Sequence, residues 1–166
     1  MDKSLYHTHY ISPLGKLCLI GRDNCLTKID ISPKKIISFP QKDDLPIFIQ
    51  TKAWLDKYFN HQKVDFPNID LSLSGTPFQL KVWEILKTIP YATTLTYGEI
   101  SNIYCSKNQK PRMSAQAIGQ AISKNPIPII IPCHRVLGRN NALTGYAYGI
   151  ENKLKLLTLE QINIFK

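Results

Sequence analysis

The segment "IPIIIPCHRVLG", residues 127–138, sets a cysteine beside a histidine behind a proline-fenced aliphatic run. A cysteine attacks carbon as the thiolate, and a neighbouring imidazole or cation shifts a thiol toward that form. His134, Arg135 and Arg139 are the neighbours placed to do so for Cys133. Against this stands the ordinary fate of a buried cysteine, which is to be a small inert hydrophobe. The residues leave three readings open: transfer of a group onto sulfur, Cys–His acyl chemistry, which needs an oxyanion hole, and no chemistry at all.

The elements that must position this thiol follow from pattern. Residues 129–131 read as a buried strand that Pro132 stops, which puts Cys133 at a rigid strand-to-loop junction. Upstream, "GTPFQLKVWEIL" opens a helix with Thr76 as N-cap, Pro77 at the first helical position and Gln79 completing a capping box; Pro90 ends it. "TLTYGEISNIYC" repeats the device with Thr96 and Glu99. The basic link "SKNQKPR" then leads to "MSAQAIGQAIS", with Ile118 and Ile122 facing inward, the outline of a helix-turn-helix. Apart from Gln116 and Gln120, the second helix of that pair carries only small residues at its non-apolar positions: Ser114, Ala115, Ala117, Gly119 and Ala121. Such a surface allows close approach, to another helix or to a narrow groove. Lys107, Lys110, Arg112 and Lys124 at its ends suit phosphates, which favours backbone and shape binding over base reading.

The first seventy residues alternate in strand fashion, "SLYHTHYIS", "GKLCLIG" and "CLTKIDIS", and are followed by a helical "PIFIQTKAWLDKYFNH". The fold class is therefore α+β, with a small antiparallel sheet and covering helix over 1–70 and a mainly helical domain containing the helix-turn-helix over 71–166. The net charge of +9 is uneven: from Leu71 onward eleven basic residues face four acidic ones. That local excess points to a polyanion such as nucleic acid. The opening residues lack the features of a signal peptide and no window reaches a membrane span, so a soluble intracellular protein without a membrane partner is expected. Cys18, Cys25, Cys105 and Cys133 form no CxxC pair, and no spacing among Cys18, Cys25, His7, His9 and His61 matches a zinc finger.

"NPIPIIIPCHRV" with "TGYAYGIENKLKLLTLE", "GTPFQLKVWEILKTIPY" and "TYGEI" resembles the O6-alkylguanine-DNA alkyltransferases, whose hallmark is PCHRV; the likeness is strong over residues 75–160 and extends weakly to "SPLGKL". The resemblance implies a single-use transfer of the alkyl group from O6 of a flipped-out guanine to Cys133, without cofactor, in double-stranded DNA bound through its minor groove. It implies His134 as general base acting through a water, Glu160 orienting it from the last helix, Asn125 as the hinge asparagine, and Tyr97 crowding the target phosphate and hydrogen-bonding the guanine. Tyr146 would stack on the base and the main chain near Val136 and Ala147 would meet its edge, while Arg112, Ala115, Gln116, Ala117, Ile122 and Tyr148 would contact DNA or substrate. It further implies a monomer, with cooperation along DNA left undecided, cytoplasmic in a bacterium or nuclear in a eukaryote.

Two positions depart from the family. Gln116 stands where an arginine often enters the base stack, and Tyr148 stands where glycine is usual; Arg22 and Thr27 also replace two zinc ligands of some relatives, so no metal is expected. These departures keep a second reading open, a protein that binds alkylated guanine with little or no transfer.

Overall fold

A computed structural model describes residues 4–22, 24–33 and 37–162. The chain divides into two compact units, Met1–Ser74 and Gly75–Lys166.

In the first unit, β1 (Tyr6–Ser12), β2 (Gly15–Arg22) and β3 (Cys25–Ile31) form an antiparallel meander. The β1–β2 turn uses Gly15 at φ +98, a conformation that favours glycine. Gly21 sits at a register shift, where a Cβ would come within 2.7 Å of the Cys25 carbonyl oxygen. Helix α1 (Pro46–Phe59) buries Ile47, Phe48, Thr51, Leu55 and Tyr58 along one stripe against this sheet. Lys52 and Asp56 of α1 bond Thr8 and Tyr10, which marks the covered face. A fourth strand, β4 (Asp70–Leu71), adds in parallel to β3; the sequence reading contained no such strand, because two residues carry no detectable alternation. Arg22 and Thr27 are hydrogen-bonded to Ser72 and to the Ile20 carbonyl. Among the described residues no group of three metal-ligating side chains assembles, and no helix is long and apolar enough to cross a membrane.

The second unit is built on α2 (Pro77–Lys87), α3 (Tyr97–Asn108), α4 (Ala115–Ser123) and α5 (Ile150–Leu159). Both predicted capping boxes form: Thr76 and Gln79 exchange side-chain bonds with each other's main chain, as do Thr96 and Glu99. Helix α2 ends at Lys87, before Pro90, with Thr88 as C-cap. Gln109, at φ 51, stops α3 and turns the chain toward α4. The Ser101 hydroxyl then bonds the Met113 carbonyl, and the Trp83 indole N–H bonds the Ala121 carbonyl, so α4 is fastened to α3 and α2 in turn.

One prediction fails at the centre of the unit. Residues 129–131 form a tight turn, not a strand: the Ile131 N–H bonds the Ile127 carbonyl, and Ile129 takes φ 75. Prolines at 126, 128 and 132 remove three ladder donors, and the two-stranded sheet of this unit pairs β5 (Leu95–Thr96) with β6 (Val136–Leu137), on the far side of Cys133. The three isoleucines are still core residues, each at most 2% exposed.

Candidate active site

Cys133 opens a single 3-10 turn, Cys133–Arg135, immediately after Pro132. Its N–H bonds the Ile131 carbonyl at 2.8 Å, and the same carbonyl accepts from Asn125 Nδ2 at 2.8 Å. Asn125 Oδ1 in turn accepts from the Ile127 N–H at 3.0 Å. One buried carboxamide therefore clamps both sides of the turn and carries it directly off the end of α4. On the other side, the parallel β5–β6 pairing brings Thr96, the N-cap of α3, beside Leu137, so Tyr97 projects from the first turn of α3 toward the thiol segment.

These elements enclose a cavity of about 280 Å³ lined by Tyr97, Gly119, Ile122, Ser123, Asn125, Cys133 and residues 145–148. Seven predicted site residues meet in it: Tyr97, Ile122, Asn125, Cys133, Tyr146, Ala147 and Tyr148. Tyr146 and Tyr148 pack edge to face with centroids 5.7 Å apart. Gly119 lies against the Tyr97 ring, where a Cβ would touch it at 3.6 Å, and the Tyr97 hydroxyl reaches the Gly145 carbonyl at 3.4 Å. A wider groove of about 580 Å³ adjoins along Thr96, Tyr97, Gly98, Ala115, Gly119, Arg139, Asn140, Thr144 and Gly145. Arg112 and Gln116 are exposed and Ala117 half-buried, none of them on the cavity wall. Val136 is fully buried behind it.

His134 and Glu160 sit behind the cysteine, each wholly buried, with His134 Nε2 and Glu160 Oε1 2.7 Å apart. Glu160 is the C-cap of α5. Arg135 donates to both carboxylate oxygens, from Nε at 2.8 Å and Nη2 at 3.0 Å, and the Ala92 N–H adds a fourth contact at 3.1 Å. Burial alone would raise the Glu160 pKa, but the bonds from His134 and Arg135 outweigh it and hold the carboxyl at about 2. Burial pulls the His134 pKa below its ordinary value although Glu160 opposes it, so the imidazole is neutral near pH 7 and able to accept a proton.

The electrostatics around the thiol differ from the sequence reading. Arg135 is spent on Glu160 and on the Ile89 carbonyl, and Arg139 is exposed in the outer groove. Burial pushes the Cys133 thiol up, against hydrogen bonding from Asn125 and Tyr146 and the charge of Lys153. The resting group is a neutral thiol that needs a base.

Lys153 is the functional residue that the sequence reading missed. It is fully buried, and its Nζ donates to the carbonyls of Val136 at 2.6 Å, Thr144 at 2.7 Å and Gly145 at 3.2 Å, tying the cavity loop to the segment after Cys133. Burial lowers its pKa to about 8. The signal was present: Lys153 lies three and four residues before Leu156 and Leu157, on the buried stripe of α5.

Residues 77–162 match the family described as 6-O-methylguanine DNA methyltransferase, DNA binding domain, and residues 5–73 match the ribonuclease-like domain of the same proteins. The methylated-DNA–protein-cysteine methyltransferase of Haemophilus influenzae is 38% identical over 162 residues, covering 96% of this chain and 88% of its own. This chain belongs to that family. The Methanosarcina acetivorans member is 39% identical, over 94% of this chain and 98% of its own. Among solved structures, the Mycobacterium tuberculosis O6-methylguanine methyltransferase superposes with a TM-score of 0.82 at 36% identity, covering 95% of this chain and 93% of that one. The same protein in complex with DNA gives 0.82 at 37% identity, covering 94% and 92%.

Proposed function

We propose that this family member repairs alkylated DNA by moving the alkyl group from O6 of a guanine, or from O4 of a thymine, onto its own Cys133. The observation that carries this reading is a thiol in the wall of a cavity bordered by α4, the second helix of a helix-turn-helix. An alkylated base inside a duplex cannot reach that thiol, so it must leave the stack, at a cost of roughly a few kcal/mol that damage lowers. Tyr146, in the wall of that cavity, offers an aromatic face to receive it.

The neutral His134, held by Glu160, takes the Cys133 proton through a water. Sulfur then attacks the alkyl carbon in line: the S–C bond forms, the C–O6 bond breaks, and the bonding pair leaves with guanine. The Tyr97 hydroxyl hydrogen-bonds the ring as its negative charge develops, and the guanine takes up a proton. The resulting thioether has no leaving group poised to restore the thiol, so each chain acts once. Double-stranded DNA is held along the minor groove by α4, and the working unit is a monomer. The test is a titration of methylated duplex with protein: methyl groups lost from DNA plateau at one per chain, whereas continued loss beyond that ratio would contradict the reading.

A further inference from the structure

Two glutamines on α4 lie outside the cavity that holds Cys133 and outside the groove that adjoins it. The helix presents three faces. Ile118, Ala121 and Ile122 are buried; Ala115 and Gly119 border the cavities; the remaining face carries Gln116 and Gln120, both exposed and one turn apart. Among the described residues neither side-chain amide has a partner within the protein. Their helical neighbours Ala115, Ala117 and Gly119 are too short to extend from the surface, and α4 itself has no charged residue; Arg112 and Lys124 lie outside it. The two amides are thus the long side chains that a closely approaching groove would meet on this face.

We propose that Gln120 reads a base pair beside the lesion from the minor groove and favours G·C there. This rests on the alkyl-transfer reading, in which α4 lies in that groove. Guanine offers a donor, N2–H, next to an acceptor, N3, and a carboxamide matches both at once through Oε1 and Nε2. An A·T pair offers acceptors only, which leaves the amide oxygen unpaired. Four helical residues advance about 6 Å and base pairs stack about 3.4 Å apart, so Gln120 falls within about two pairs of the step that Gln116 meets.

The experiment compares single-turnover transfer rates of wild type and Gln120→Ala on duplexes carrying one O6-methylguanine, with G·C or A·T at each of the two flanking pairs on either side. Comparing the proteins on the same duplexes cancels the intrinsic ease of extruding the base. Wild type should favour G·C at one flanking position by about fivefold beyond the ratio shown by Gln120→Ala, and both proteins should share one salt dependence, because the amide is neutral. Equal context ratios for the two proteins, with transfer intact, would overturn the proposal and leave alkyl transfer standing. No transfer on any duplex would overturn both.

Discussion

Glu160 is bound by His134, by Arg135 twice and by the Ala92 N–H, all within 3.1 Å, and in the proposed transfer its state governs the proton path. Its carboxyl is held at about 2, well below the ordinary carboxylate range, so between those values the unfolded chain binds more protons than the folded one. The stability it contributes is full above about pH 4.5 and is lost as pH falls toward 2. Glu160→Gln should remove that acid-dependent loss, visible as a flatter unfolding midpoint between pH 5 and pH 3. It should also cost about 3–5 kcal/mol at pH 7 by leaving Arg135 buried without a counter-charge. An unchanged acid profile would contradict this account of Glu160. In the proposed transfer Tyr148 limits access. Half-buried in the cavity wall against Tyr146, it narrows the space in front of Cys133. Tyr148→Gly should therefore react with free O6-benzylguanine about tenfold faster or more, at a rate scale set by losing one steric contact, while methyl transfer from DNA changes little. Equal inactivation of both proteins by benzylguanine would show that the phenol is no barrier.

At the scale of elements, what was legible in the sequence was local. The capping boxes at Thr76 and Thr96 need only residues three apart, and they formed as read. The helix-turn-helix followed because its two helices are adjacent in the chain. The Ile129–Ile131 turn was not legible: a strand needs a neighbour to pair with, and neither periodicity nor composition reveals whether one exists. Lys153 was missed for the opposite reason, since a lysine on an apolar stripe is ordinarily discounted as solvent-facing. Ala92 shows another hidden constraint. It adopts φ 58 so that its N–H can reach Glu160, a left-handed conformation that a Cβ disfavours. Ala92→Gly should keep that bond and stabilise the fold by roughly 0.5–1 kcal/mol, less than the full relief because glycine loses more entropy on folding. Chemical denaturation measures it, and a loss of stability would count against strain at this position.

Across the whole molecule, the excess of positive charge lies in the chain from Leu71 onward, yet the middle of α4 is neutral. In the proposed function, affinity comes from flanking cations, and Gln116, exposed on α4, would add hydrogen bonding without charge where the resemblance implies an arginine in many relatives. Gln116→Arg should bind duplex DNA more tightly and steepen the salt dependence of log Kd by about one; unchanged affinity and repair rate would show that the position does not meet DNA. The central claim, that Cys133 itself receives the alkyl group, is tested most directly by intact-protein mass spectrometry with peptide mapping after mixing the protein with a duplex carrying one O6-methylguanine. The account predicts a gain of one methylene, on Cys133 alone, that stops at one per chain and is absent in Cys133→Ser. Tight binding with no mass change would contradict it and assign the chain to lesion recognition.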